Sequence, residues 1–401
     1  MKSIVKLLTV ICLLSACQTA ESSKKVTIVP YNDLIAGAAQ SDIYLPMLKG
    51  KRIAIVANHT SLVRDKHTVD ILVDLGLDLQ KVFCPEHGFR GNKSDGELIN
   101  DQFDSKTGLP ITSLYGNHKK PTVEDLKNID MVIFDIQDVG IRFYTYLTTM
   151  TYVMQACAEN NIPILIFDRP NPNGFYVDGP ILESGHKSFV GIHAVPIVHG
   201  MTPGEYAMMV NGELWLENKL KCKLEVITVK NYTHFQTMDL PVKPSPNLPT
   251  FLSVLLYPSL ALFEGTIVSI GRGTSFPFQV AGHPNYSKKD FSFTPMPIPE
   301  ASINPPLKGQ KCYGIDLRNM DIEPIILDKK INLKWIIQFY QDFGNKDEFF
   351  NTYFENLVGQ DLLRRQIIEG ISEDEIRKSW QNGLTHYKKI RAKYLLYPDF
   401  E

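Results

Sequence analysis

The sequence has almost no excess of charge: 42 Lys and Arg face 44 Asp and Glu, for a formal net charge of -2. A nucleic-acid binder needs a net basic face, so that class is excluded and no nucleic-acid partner is expected. Past the N-terminus there is no apolar run of ~18 residues, so no later segment is expected to span a bilayer. No CxxC pair occurs among the six cysteines, which excludes the usual structural zinc site. No internal repeat or low-complexity tract is present. A Walker loop and a Gly-x-Ser-x-Gly elbow are both missing, which counts against a P-loop NTPase and a serine hydrolase. Gly271-Arg-Gly273 is only half of a dinucleotide fingerprint. His59, Asp135 and His199 are of metal-ligating type but fall in no tight ligand motif, so neither a metal nor a cofactor is expected.

What is present is an ordinary globular composition, 44% hydrophobic and 10% aromatic, with enough of its 401 residues for two domains at ~100–200 residues each. Lys2 and Lys6 flank the start of a short apolar stretch, Ile4 to Leu14, which ends in Leu14-Ser15-Ala16-Cys17. A charged start, a short apolar core and a small-residue end are the parts of an export signal. The last four residues resemble the lipobox of bacterial lipoproteins, with Cys17 as the lipidated first residue of the mature chain. The alternative is a plain signal peptide cleaved near Ala16. Either way an exported protein is expected, periplasmic or at the cell surface. With the lipobox it is anchored to a membrane through Cys17. Residues 18–25 read as a tether. Cys84, Cys157, Cys222 and Cys312 read mostly as buried thiols.

From Lys51 onward, short continuous apolar runs alternate with helical spacing. Arg52 to Ala57, Lys81 to Cys84, Ile111 to Tyr115, Met131 to Asp135, Ile162 to Phe167 and Leu224 to Val229 read as strands, with Val195 to Val198 as another. Thr68 to Leu75, a helix starting at Thr122, Tyr144 to Asn160 and Pro203 to Leu214 lie between them. Strands that are apolar throughout and separated by helices predict a parallel sheet covered on both faces. The expected fold is therefore α/β, with a Rossmann-like domain over residues 26–244. A smaller α+β domain over 245–401 follows the Pro-rich stretch Pro241 to Pro249. Its predicted elements are a helix over Phe251 to Phe263, strands at Ile267 to Ile270 and Tyr313 to Leu317, and helices toward the C-terminus.

The residues that follow the strands carry the functional signal. They are Asn58 and His59 after the first, Glu86, His87 and Arg90 after the second, Gln137, Asp138 and Arg142 after Phe134, Asp168 and Arg169 after Phe167, and His199 after Val198. Ligands of open parallel sheets bind beyond the carboxyl ends of the strands. Such a concentration of carboxylates, histidines and amides points to a cleft. Individually, Asp138 and Asp168 are the types that cap helices and turns. Glu86 sits between Pro85 and His87, with Gly88 and Gly91 permitting close backbone approach. Two carboxylates flanking a bond is the arrangement of glycoside hydrolysis. Glu86 suits the general acid. Glu264, which precedes the Gly271-Arg272-Gly273 loop, is the first choice for the second carboxylate, ahead of Asp168 and Asp138.

Several stretches together resemble one family. They are Pro85-Glu-His-Gly-Phe-Arg-Gly91, Phe134-Asp-Ile-Gln-Asp-Val-Gly-Ile-Arg-Phe-Tyr-Thr-Tyr146, Phe167-Asp-Arg-Pro-Asn-Pro-Asn-Gly174 and His199-Gly-Met-Thr-Pro-Gly-Glu205. The second half adds Pro244-Ser-Pro-Asn-Leu-Pro-Thr250, Tyr257-Pro-Ser-Leu-Ala-Leu-Phe-Glu-Gly-Thr266 and Gly271-Arg-Gly-Thr274. From about Asp33 to the C-terminus the chain looks like the NamZ-type exo-β-N-acetylmuramidases. The resemblance implies a Rossmann-like domain joined to a smaller one, with the active site in the cleft between them. It also implies release of N-acetylmuramic acid from non-reducing ends of peptidoglycan glycans, so muramyl sugars are the expected partners. The lactyl carboxylate of that sugar wants a cation, for which Arg90, Arg142 and Arg272 are candidates. Phe89, Tyr144 and Phe276 are candidates for stacking on its apolar face. Two other readings remain at this point: a lipoprotein that binds cell-wall sugars without cleaving them, and an esterase or amidase acting on muramyl substituents.

Overall fold

The computed structural model of the protein describes residues 25–85, 89–90 and 102–401. The export signal with Cys17, the tether up to residue 24, and Glu86 and His87 lie outside the described residues.

Among the described residues, seven strands form the large sheet. They are β1 Arg52–Ala57, β2 Asp78–Cys84, β3 Gln102–Phe103, β4 Pro110–Ser113, β5 Met131–Asp135, β6 Ile164–Phe167 and β7 Leu224–Ile227. Their order is β7-β6-β5-β1-β2-β4-β3. Every pairing is parallel except that of β3, which runs antiparallel to β4 at one edge. From β1 the chain builds outward through β2 and β4, then returns to lay β5, β6 and β7 on the other side. The order therefore reverses between β1 and β5, where Ala57 pairs with Asp135. That is the topological switch point of a doubly wound sheet.

Continuous apolar strands form here because both sheet faces are covered. In β1, Ala54 and Val56 join one core, while Ile53, Ile55 and Ala57 join the other. The covering helices begin with α1 Ser41–Leu48, α2 Thr68–Asp74, α3 Tyr146–Glu159 and α4 Pro203–Gly212. The start of α4 is fixed by a capping box, Thr202 with Glu205, and by Pro203 in its first turn.

The second half holds α5 Phe251–Leu260, α6 Ile322–Asp328, α7 Lys334–Asp342, α8 Phe354–Val358, α9 Leu362–Ile368 and α10 Glu373–Arg391. It also holds a small antiparallel sheet of β8 Val280–His283, β9 Ser292–Phe293 and β10 Cys312–Asp316 in the order β8-β10-β9. One hydrophobic core runs through both halves: Phe134, Leu147 and Met150 belong to the same cluster as Leu255, Phe339 and Trp380. Polar contacts cross as well. Arg377 pairs with Asp178 at 2.8 Å, and the Tyr387 hydroxyl donates to the His199 carbonyl at 2.7 Å.

Three predicted elements differ. The Thr122 helix does not form, although its cap does: Thr122 and Asp125 bond each other reciprocally. Asn128 turns left-handed (φ 61°) and β5 begins three residues later, which leaves no length for a helix to propagate. Val195 to Val198 and Ile267 to Ile270 are extended chain with isolated bridges only, such as Ile141 to Val198 and Ser269 to Gly282.

Candidate active site

A cavity of about 460 Å³ opens between the two halves. From the first half its wall takes Tyr115, two residues beyond β4, then Phe143 to Tyr146, where β5 leads into α3. The turn Ser188 to Val190 closes one side; it is held by reciprocal backbone bonds between Ser188 and Gly191 at 2.9 and 3.0 Å. From the second half come Ser245, Asn247, Leu248, Tyr257, Glu264, Arg272 and Phe278. The floor is an aromatic cluster. Tyr257 lies edge-on to Phe143, Tyr144 and Phe278 at centroid distances of 5.4, 6.0 and 4.9 Å. Apolar ring faces beside a few polar groups are the usual composition of a ligand pocket.

The polar pair in this wall is Glu264 with Arg272. Glu264 lies in a 3₁₀ turn, Ala261–Gly265, that continues α5. Arg272 Nε donates to Glu264 Oε1 at 2.7 Å, and its guanidinium stands 5.1 Å above the Phe278 ring. The loop that presents Arg272 needs its glycines. Gly273 has φ 79°, and a Cβ there would meet the Met296 carbonyl at 2.5 Å.

Of the three candidate arginines, only Arg272 lines this cavity. Arg90 is bidentate to Asp104 at 2.8 Å for both bonds and also reaches Asp70 at 3.0 Å. The Arg90 bonds hold the Asp104 carboxyl well below the usual carboxylate range. Arg142 is buried, and its two terminal nitrogens donate to backbone: the carbonyls of Pro180, Val195, Leu357 and Val358 all accept from them. It ties the two halves together.

Other predicted residues are also placed away from the cavity. Asp168 is wholly buried. Its Oδ2 accepts from Tyr397 at 2.5 Å and Thr202 at 2.7 Å, and its Oδ1 accepts from the Gly204 amide at 2.8 Å. It fastens the end of β6 to the start of α4, and burial pushes its carboxyl up to about 6. Asp138 is buried and does not line the cavity. Its Oδ1 accepts from the Gly140 amide at 2.6 Å, Oδ2 has no hydrogen-bond partner among the described residues, and burial pushes it up to about 7. His199 is buried, accepts from the Met201 amide at 3.2 Å, and is pushed down to about 3 by burial.

At the switch point itself, Arg169 is bidentate to Asp135 at 2.6 and 3.0 Å, 1% exposed. Tyr31 and Gln137 pack over the pair, and the Asn58 side chain accepts from Thr60 in the turn after β1. Tyr31 of the N-terminal segment thus covers the Arg169–Asp135 pair at the position where doubly wound sheets place a ligand, beside a groove lined by Tyr31, Leu62 and Val63. His59 bonds the Lys243 carbonyl at 2.9 Å and lines a separate groove of about 510 Å³. The described chain before Glu86 nevertheless ends beside the cavity. Cys84 pairs with Ser113, its carbonyl accepts from the Leu114 amide at 2.8 Å, and the next residue is Tyr115 of the wall.

Comparison with known proteins agrees with this architecture. Residues 53–252 match the N-terminal family of the exo-beta-N-acetylmuramidase NamZ, and residues 255–397 match its C-terminal family. The chain belongs to the NamZ family. It is 40% identical over 375 residues to the peptidoglycan beta-N-acetylmuramidase NamZ of Bacillus subtilis (strain 168), covering 88% of this chain and 89% of that one. Two solved structures, both DUF1343 family proteins from Bacteroides fragilis NCTC 9343, share the fold. One is 50% identical with a TM-score of 0.86, covering 92% of this chain and 99% of its own. The other is 27% identical with a TM-score of 0.75, covering 91% and 99%. The chain is accordingly an enzyme of the glycoside hydrolase class.

In this NamZ-family fold, sequence reasoning missed part of the wall. Tyr115, Asn247 and Tyr257 line the cavity and are not among the residues that the strand-end pattern marks. Asn247 and Tyr257 sit inside the family-like stretches Pro244 to Thr250 and Tyr257 to Thr266, which is the available signal. Of the candidate stacking rings, Tyr144 is in the wall. Phe89 packs on His67 at 4.7 Å, and Phe276 lies under Arg318 at 4.6 Å.

Proposed function

We propose that this protein is an exo-acting glycoside hydrolase that releases N-acetylmuramic acid from non-reducing ends of peptidoglycan fragments during cell-wall turnover or recycling. The observation that carries the reading is the cavity. It has room for about one sugar with its substituents, an aromatic floor, and a carboxylate and a guanidinium side by side in the wall. Glu86 is the general acid, protonating the leaving oxygen. Glu264 is the second carboxylate, acting as base, nucleophile or charge stabiliser. Arg272 holds the lactyl carboxylate of the sugar, a bidentate task suited to a guanidinium. Tyr144, with Tyr257, offers an aromatic surface to the apolar side of the sugar.

The test uses protein without its export signal, the disaccharide MurNAc-GlcNAc and mass spectrometry of the products. Free MurNAc is the expected product. Glu86→Gln and Glu264→Gln should each lower turnover by about 10²–10⁴ with unchanged circular dichroism. Turnover near that of the starting protein in either variant removes that residue from the mechanism. Intact disaccharide after long incubation, with binding retained, would make the protein a sugar binder. A product altered only in its lactyl or peptide portion would make it an esterase or amidase.

Export and anchoring belong to the same proposal. The lipobox-like Leu14-Ser-Ala-Cys17 is read as a lipidation site. Cys17→Ala should move the protein from the membrane fraction to the soluble fraction on cell fractionation. Unchanged membrane association would sink the anchor.

A further inference from the structure

Asn247 lies in the cavity wall and is 2% exposed. Its neighbours fix how its carboxamide is turned. Nδ2 donates to the Ala301 carbonyl at 3.0 Å, and the backbone N–H donates to Ser245 Oγ at 3.2 Å. The segment is pinned from the other side by Tyr144, whose hydroxyl donates to the Pro244 carbonyl at 2.6 Å. With Nδ2 committed to Ala301, the acceptor Oδ1 is buried and has no hydrogen-bond partner among the described residues. Buried amide oxygens are nearly always satisfied, and leaving one without a donor is costly. A lone acceptor set back in the wall of a ligand cavity is therefore a place for a donor carried by the ligand.

The surroundings narrow the donor. Leu248 follows in the chain, and the Tyr257 and Phe278 rings, 4.9 Å apart, complete an apolar floor in the same cavity. The charged side chains in the cavity wall, Glu264 and Arg272, are paired with each other at 2.7 Å, with the guanidinium over the Phe278 ring. A ligand group that offers one N–H donor and an apolar methyl matches an acceptor beside an apolar floor. A secondary amide of the acetamido type is such a group. A sugar hydroxyl brings a donor with no apolar part.

We infer that Asn247 is a specificity-determining residue whose Oδ1 accepts the N–H of the substrate's 2-acetamido group. The inference rests on the muramidase reading and deepens it, since it names which side chain reads the amide. No bond is made or broken by this contact; it discriminates between substrates.

The test is a two-by-two comparison of kcat/KM. The substrates are the 4-nitrophenyl β-glycoside of N-acetylmuramic acid and the same compound with the 2-acetamido N–H replaced by an ester oxygen. The enzymes are the unaltered protein, Asn247→Ala and Asn247→Asp. The unaltered enzyme should prefer the amide substrate by about tenfold or more, because the ester leaves the acceptor unmatched. Asn247→Ala should shrink that preference to less than about threefold. Asn247→Asp keeps an acceptor oxygen and should keep the preference, even if its charge lowers both rates. Being a ratio, the preference does not depend on how much of each variant folds. A full preference in Asn247→Ala, or none in the unaltered enzyme, overturns the assignment of Asn247. Cleavage of neither substrate by the unaltered enzyme overturns the muramidase reading itself.

Discussion

Asp138 shows how far burial moves a carboxyl group that no cation faces. Water is excluded from it, two backbone amides partly offset the loss, and its pKa rises from 3.8 to about 7. A carboxyl whose folded value lies above its unfolded value contributes stability that is complete below pH 3.8. That contribution is lost as pH climbs to about 7 and the group must ionise inside the fold. Asp138→Asn carries no such proton. Its stability relative to the unaltered protein should therefore improve between pH 4 and pH 8, by about 2–4 kcal/mol. Denaturant unfolding at the two pH values reads this directly; a constant difference would show that Asp138 does not titrate in this window. The same residues show what sequence can reveal about a site. The types after each strand were legible as polar, but their accessibility was not. Asp168, Arg169 and His199 follow strands as an active-site residue does, yet they are enclosed by partners far along the chain. For Asp168 the enclosing group is Tyr397, 229 positions away.

At the scale of elements, β1, β5 and β6 were legible because every residue between their ends is apolar and buried. α10 announced itself by its Ser372 cap, three acidic residues in its first turn and three basic residues in its last. β9 is two residues long and α6 contains Pro324, so neither leaves a periodic trace. The Arg272 loop is the element on which the site depends most. Gly273→Ala places a Cβ against both Met296 and Pro305 at positive φ, a strain of about 1–3 kcal/mol that the loop relieves by shifting. Because Arg272 is the next residue back, the expected result is a higher KM for muramyl substrates with a smaller change in kcat. An unchanged KM would mean that the loop absorbs the change without moving the guanidinium.

For the whole molecule, the decisive fact is that one core passes through both halves. Two separately folded units would share an interface and little more, and relative motion would be their default. Here Arg142 is hydrogen-bonded to carbonyls on α8, and Arg391, at the end of α10, donates twice to the Gly200 carbonyl beside α4. Calorimetry should accordingly show one unfolding transition whose van't Hoff and calorimetric enthalpies agree. Residues 255–401 expressed alone should not fold. Two resolved transitions would show that the shared core is weaker than its extent implies.

The floor of the cavity is part of that shared core. Phe143, Tyr257 and Phe278 are buried, so among the described residues the cavity is closed on the side that faces the shared core. In the exo-acting reading proposed above, the terminus of a glycan strand enters from the opposite side. In that reading the freed sugar lies deeper than the remaining strand, and the strand lets go before the sugar leaves. That reading predicts distributive degradation, checked by following strand lengths in a mixed population over time. Strands in a mixed population shorten together, one residue per encounter, and no single strand is consumed to completion before the next is begun.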